Sequence, residues 1–239
     1  MKKICLIILG SISMVSIGLS QKTINDPNVE KRTVGSFHGI DVATGIELFL
    51  TAGSTEEVAV SASETEFRDK IVTKVEGGIL KLHYETKTGA INKKHQNKKL
   101  KAYVSYKMLD HLTVTTGADV HIEGTLESSS LDLKANTGGL VDGKINVGDL
   151  KVSQNTGSKI TLTGSVDKLY ADGNTGSKFM GEDLTAEVCE IEMSTGAGIY
   201  ISVEKELNVK ANTGGYIRYK GDGGIRDVKT NTGGVVSRI

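Results

Sequence analysis

The chain has 239 residues, with 29 glycines, one proline and no tryptophan, and its 29 basic and 29 acidic side chains cancel. This length supports a core for one large domain or two small ones, and many glycines beside a single proline predict tight turns in ordered structure. The charge balance excludes a broad electrostatic pull toward nucleic acid or anionic lipid.

Residues 1–20, MKKICLIILGSISMVSIGLS, have a basic start at Lys2 and Lys3, an apolar stretch, and small residues Gly18 and Ser20 before Gln21. This is the pattern of a secretory signal peptide. The apolar stretch is too short and serine-rich for a comfortable membrane span, and Cys5 lacks the small-residue box of a lipid-attachment site. Cleavage removes two lysines, leaving 27 basic against 29 acidic residues and a net charge near −2. Cys189 is then the one remaining cysteine, so no internal disulfide and no cysteine-based zinc site is expected. Residues 21–32 are expected to be a flexible leader, and the mature chain has no stretch suited to a transmembrane helix.

Residues 33–108 are expected to form an irregular amino-terminal β cap together with a first coil. "IDVATGIELFL" at 40–50 centres on Thr44-Gly45, with Ile40 five residues before the glycine and Leu48 and Leu50 three and five after it. Further strands are predicted at 58–62, 71–75, 79–84 and 100–105, with "EGG" at 76–78 turning between two of them. The segment 87–101 carries Lys87, Lys93, Lys94, Lys98, Lys99 and Lys101 without an acid. It reads as a solvated loop. Lacking interleaved aromatics, it does not imply a nucleic-acid partner.

From 109 to 239 the chain repeats. Thr-Gly pairs end at Gly117, Gly138, Gly157, Gly176, Gly196, Gly214 and Gly233, in steps of 21, 19, 19, 20, 18 and 19 residues. Gly45 is the displaced earlier member. Five residues before these seven glycines stand Leu112, Leu133, Val152, Ala171, Ile191, Val209 and Val228; three after stand Val120, Val141, Ile160, Phe179, Ile199, Ile217 and Val236. Polar residues lie between, so each repeat contains strands with one buried face on either side of a corner. A coil of about 19 residues cannot bury its own apolar side; stacking coils at roughly 4.8 Å buries all of them along one axis. The predicted fold is therefore all-β: a parallel, right-handed β-helix solenoid. A sandwich or barrel also supplies short strands and turns, but does not require one residue type at every turn.

Equivalent residues of stacked coils lie above one another. Glycine at the corner supplies backbone angles that a Cβ penalises. The preceding Asn136, Asn155, Asn174, Asn212 and Asn231 are expected to form an amide ladder along the axis.

The opening "FHGIDVATGIELFLTAG" (37–53), "VEGGILKLHY" (75–84), "LDHLTVTTGADVHIEG" (109–124) and the serial corners after them resemble the putative auto-transporter adhesin, head GIN domain family of secreted bacterial proteins. The resemblance spans about residues 34–239. It implies a β-helical protein of the cell envelope or surface with an adhesin-like role. No translocator barrel follows Ile239 in the sequence, so self-export is not expected.

No nucleophile elbow, zinc-protease motif, phosphate loop or dinucleotide fingerprint is present. No cofactor is implied. Asp119, His121 and Glu123 alternate along one strand and offer oxygen, nitrogen and oxygen to a metal, although about 7 Å separates each from the next. Tyr200 and Tyr216 project outward from successive coils and offer a small platform for a sugar. Cys189 falls in an otherwise leucine-rich inner column, as a packing thiol. Two readings follow. The first is a non-enzymatic binding or scaffolding protein with a glycan or surface protein as partner, able to self-associate through the solenoid end. The alternative is a β-helical carbohydrate-active enzyme of the polysaccharide lyase or hydrolase type.

Overall fold

The computed structural model describes residue 26 and residues 28–85 and 97–239. The predicted signal sequence, half of the predicted leader, and Lys87, Lys93 and Lys94 lie outside the described residues. The strands, in chain order, begin with β1 (Glu30–Arg32), β2 (Gly39–Val42), β3 (Glu47–Ala52) and β4 (Glu57–Ser61). A single turn, α1 (Thr65–Arg68), precedes β5 (Ile71–Glu76), β6 (Ile79–Tyr84), β7 (Lys101–Tyr106) and β8 (His111–Val114). The long coils follow: β9 (Asp119–Ala135), β10 (Leu140–Gln154), β11 (Lys159–Gly173), β12 (Lys178–Met193) and β13 (Gly198–Ala211). The last are β14 (Tyr216–Lys220), β15 (Gly224–Thr230) and β16 (Val235–Arg238).

Neighbouring coils pair in parallel from β9 through β16, as a β-solenoid requires. The inner columns are those of the apolar pattern. Leu133 pairs with Val152, Val152 with Ala171, Ala171 with Ile191 and Ile191 with Val209. All of these are 5 % exposed or less, as are Val120, Val141, Ile160, Phe179, Ile199 and Ile217 of the second column. Cys189 is completely buried between Leu169 and Leu207, and burial pushes its thiol up to about 12, which removes it from nucleophilic chemistry.

Three features differ from the pattern expected of the sequence. First, each long coil is one bent strand of 14 to 17 residues rather than two or three short ones. The bend is absorbed by register shifts, such as those between Gly143 and Lys144 and between Thr161 and Gly164, so coil-to-coil pairing continues around it. Second, the coils of the amino-terminal region stack out of chain order. β2 and β3 pair on one side with β8 and β9, and on the other with β6 and β7, so the 39–52 coil is interposed between two later segments. β4 adds antiparallel to β7, and β5 adds antiparallel to β6. Third, Glu30–Arg32, assigned above to the flexible leader, form β1 antiparallel to β4. Arg68 Nε lies 2.9 Å from Glu30, and the Asn28 amide donates to the Ala62 carbonyl at 3.0 Å, which anchors this segment.

The Thr-Gly corner is a two-residue turn with both central residues at positive φ. The glycines lie at +68° to +75°, and the threonines before them at +44° to +60°. In the corners from Gly117 to Gly233, the residue after the glycine closes the turn by donating to the carbonyl three residues back, at 2.7–3.3 Å. This is type I′ geometry. Positive φ is costly for a β-branched threonine, and two sets of hydrogen bonds offset it. Each corner glycine N–H from Gly45 to Gly214 donates to the threonine carbonyl of the next coil at 3.0–3.1 Å. At Asn136, Asn155 and Asn174, the side-chain oxygen accepts from the following threonine N–H at 2.7–2.8 Å and from its hydroxyl at 3.2–3.3 Å.

The amide ladder expected of these asparagines is therefore corrected. Rung-to-rung bonding is present where Asn231 donates to Asn212 at 3.2 Å, while Asn212 donates to Glu192 at 3.4 Å. Elsewhere the local threonine N–H holds the amide oxygen, and the axial ladder is built by the glycine backbone.

Candidate functional site

The alternation that buries Val120 and its column turns the next residue outward. Register places Tyr103, Phe49, His121, Asp142, Thr161, Met180, Tyr200, Arg218 and Ser237 in one outer lane, each opposite its neighbour on the adjacent coil. Two residues earlier runs the lane Lys101, Glu47, Asp119, Leu140, Lys159, Lys178, Gly198, Tyr216 and Val235.

Aromatic groups gather at both ends of this face. Phe49 stacks on Tyr103 with centroids 5.2 Å apart, and His121 stacks on the other face of the run at 5.3 Å. Lys101 Nζ lies 5.6 Å from the Phe49 centroid and 3.6 Å from Glu47. At the far end Tyr200 and Tyr216 meet edge to face, 6.0 Å apart. Arg218 covers both rings, at 5.4 and 5.9 Å. The Tyr216 ring occupies the space above Gly198, where any Cβ would collide with it. Partial burial, the Tyr200 hydroxyl and, in the other direction, Arg218 act on the Tyr216 hydroxyl, whose pKa is raised. The two tyrosines are thus one packed cluster with a guanidinium, and not two parallel plates.

Of the three residues aligned as metal ligands, the structure brings together two. Asp119 and His121 converge with Asp142 of the next coil; one ligand atom from each lies within 4.8 Å of the others. His121 Nδ1 is 2.7 Å from Asp142, and Nε2 is 3.7 Å from Asp119 and 3.6 Å from Glu47. Glu123 instead accepts a hydrogen bond from the Thr51 hydroxyl at 3.1 Å. The correction has a simple cause. Glu123 stands four residues from Asp119 along the strand, about 13 Å, whereas His121 and Asp142 are opposite each other on adjacent coils, about 5 Å apart. Asp119, His121 and Asp142 can supply three ligands to a small cation, with Glu47 beside them.

Burial raises the Asp119 pKa; His121 opposes the rise, while Asp142 and Glu47 add to it. A carboxyl held more protonated in the folded state stabilises the fold at low pH, and that contribution is lost as pH rises from the unfolded to the folded pKa. Asp119→Asn is therefore expected to raise the melting temperature at pH 7. Repeating the melt at pH 3, below the ordinary carboxyl range, should show the gain largely gone.

Tyr103, Phe49 and Asp142 were not singled out by the sequence, although Phe49 stands four residues after Gly45, in the lane of Tyr200. Tyr103 has no Thr-Gly pair to index it. On the later halves of β10 to β13, a shallow depression of about 340 Å³ is lined by Lys151, Tyr170, Asp172, Glu190, Glu192 and Lys210. Burial, and then Glu192, raise the Asp172 pKa. Near the first coil, Lys98 lies over the Tyr84 ring at 4.3 Å, so part of the basic segment packs on the fold. Among the described residues no helix is long and apolar enough to cross a membrane.

Comparisons with known proteins place this geometry in a family. A protein of Bacteroides fragilis described as a putative adhesin is 20% identical, with 88% of this chain and 96% of that one covered at a TM-score of 0.78. A protein of Parabacteroides distasonis described as a putative lipid binding protein is 18% identical, with 90% and 98% covered at 0.68. A putative adhesin of Parabacteroides merdae is 17% identical, with 90% and 97% covered at 0.64. At these identities the likeness shows the fold. No curated protein matches the chain. The family described as putative auto-transporter adhesin, head GIN domain, matches residues 36–223, and the chain belongs to that family.

Proposed function

We propose that the protein is an exported, non-enzymatic, adhesin-like binding module, displayed at the cell surface after loss of its amino-terminal signal sequence. It binds an extended glycan along the outer lane that runs from Tyr103 and Phe49 to Tyr200 and Arg218. The observation that carries this reading is the lane itself. Ring systems stand at both ends, five coil steps apart between Phe49 and Tyr200, or about 24 Å at the strand spacing. Charged and hydroxyl side chains, among them Asp142, Thr161, Lys159 and Lys178, stand between them. Aromatic faces and edges engage the apolar faces of sugar rings, and the polar lanes engage hydroxyls. The same charged lanes disfavour a lipid ligand, which would need a contiguous apolar patch.

The test is affinity electrophoresis against a panel of bacterial and host polysaccharides, with product analysis of the same mixtures. Retardation of the wild-type chain, with Tyr200→Ala/Tyr216→Ala weakening it at least tenfold, or about 1.4 kcal/mol, is expected. Release of shortened or unsaturated products would instead favour the carbohydrate-active enzyme. Retardation unaffected by the double substitution would move the binding site away from this lane.

A further inference from the structure

The inner columns are buried in coil after coil until the last. Val209 is 5 % exposed, but Val228 below it is 43 % exposed. Ile217 is completely buried, while its partner Val236 is only partly buried, and Val235, in the outer lane beside it, is 52 % exposed. Ile225 and Ile239 are 44 % and 57 % exposed, so most of the large exposed apolar side chains of the described residues gather at this one end. β15 pairs with β13 and β16 with β14, and among the described residues neither has a partner on its other edge. An edge of this kind is a template for another strand. The opposite end shows what the fold accepts there: β4 lies antiparallel on the edge of β7, with Val58 opposite Val104.

We propose that the carboxy-terminal end of the solenoid is a homodimer interface, in which β15 pairs antiparallel with β15 of a second copy about a two-fold axis at Val228. Backbone alternation sets the register. The Asn231 N–H donates inward to the Ala211 carbonyl at 3.0 Å. Successive residues of a strand point their backbone groups to opposite edges, so those of Val228, three residues earlier, point off the end. Two such residues facing across a two-fold axis exchange a pair of hydrogen bonds. The charge pattern fits the same axis. Asp227 and Lys229 lie in the outer lanes, paired with Asn208 and Lys210, and are 2.8 Å from one another. With Val228 on the axis, Asp227 of each copy stands opposite Lys229 of the other, twice per interface. Val228 meets its own copy on the inner side, and the exposed Ile225 is covered with it. An isologous contact of this kind closes at two subunits and ends further edge pairing.

Sedimentation velocity of the full chain over a dilution series tests the interface. The wild type is expected to dimerise, and Asp227→Lys and Lys229→Asp each to weaken the dimer by roughly tenfold or more, because each places like charges opposite one another twice. The double variant Asp227→Lys/Lys229→Asp restores opposite charges and is expected to recover the dimer. Circular dichroism of each variant confirms that the exposed substitutions leave the fold intact, and Leu140→Lys, on the side of the solenoid, should leave the dimer unchanged. A wild type that stays monomeric to its solubility limit overturns the interface. So does a double variant no better than the single ones, or a dimer indifferent to all three.

Discussion

Gly164→Ala is expected to destabilise the protein by about 3 kcal/mol or more, seen as a fall in the urea midpoint with the slope retained. Gly164 has φ +109°, which L side chains rarely adopt, and it lies directly opposite Ile145 on the preceding coil. A Cβ there would be driven into the Ile145 carbonyl oxygen. That oxygen belongs to the pairing between coils, so neither side can yield without breaking the ladder at the bend. Gly157→Ala is the informative contrast. Its φ is +68°, and a Cβ there meets nothing within 4 Å. The cost should be about 1 to 2 kcal/mol, from the left-handed backbone alone. If the two substitutions cost the same, the close approach at the bend is not what determines stability there.

Phe179→Ala should cost about 3–5 kcal/mol, a large share of the 5–15 kcal/mol typical of a folded domain. Phe179 is completely buried in the column between Ile160 and Ile199. Its ring fills space above Gly181, where a Cβ would collide with it. Coils joined on both sides by backbone pairing cannot collapse easily into the vacated volume. Ile160→Val, one coil away, removes a single methylene and should cost about 1 kcal/mol. Equal effects from these two would mean that the coils do relax around the cavity. Because each coil contacts chiefly its neighbours, the Phe179 variant is expected to fray from the centre, with amide exchange rising first in β11, β12 and β13.

The architecture was legible because the repeat is written twice, once in the Thr-Gly corners and once in the apolar columns five before and three after them. Those columns stand buried from Leu112 to Val209 and from Val120 to Ile217. The order of the first coils was not legible. Parallel pairing of β2 and β3 with both earlier-stacked and later-stacked partners is a non-local choice, and the Thr-Gly pair within residues 79–106 ends at Gly89, 12 residues before β7 begins rather than two. The corner's chemistry was legible only in part. Glycine's role follows from its missing Cβ, but positive φ at threonine runs against the residue's own preference and is held by the Asn oxygen and the axial bonds. The asparagines were assigned to their neighbours along the axis when most bond to the next residue.

The candidate site shows the same division. The tyrosines at 200 and 216 were found by counting outward from a corner, and the same count would have found Phe49. Asp142 was missed as a partner of Asp119 and His121 because the strand was considered alone, although opposite residues on adjacent coils are closer than residues two apart along it. Membership in the head GIN domain family rests on most of the chain. The proposed binding role rests on the outer lane.

Surface display is the claim on which adhesin-like binding most directly depends, and protease shaving of intact producing cells tests it. The account predicts that brief external protease removes the protein while an internal marker survives, because a glycan-binding lane is useful only where it meets its ligand. Protection of the protein until the envelope is opened would contradict surface binding.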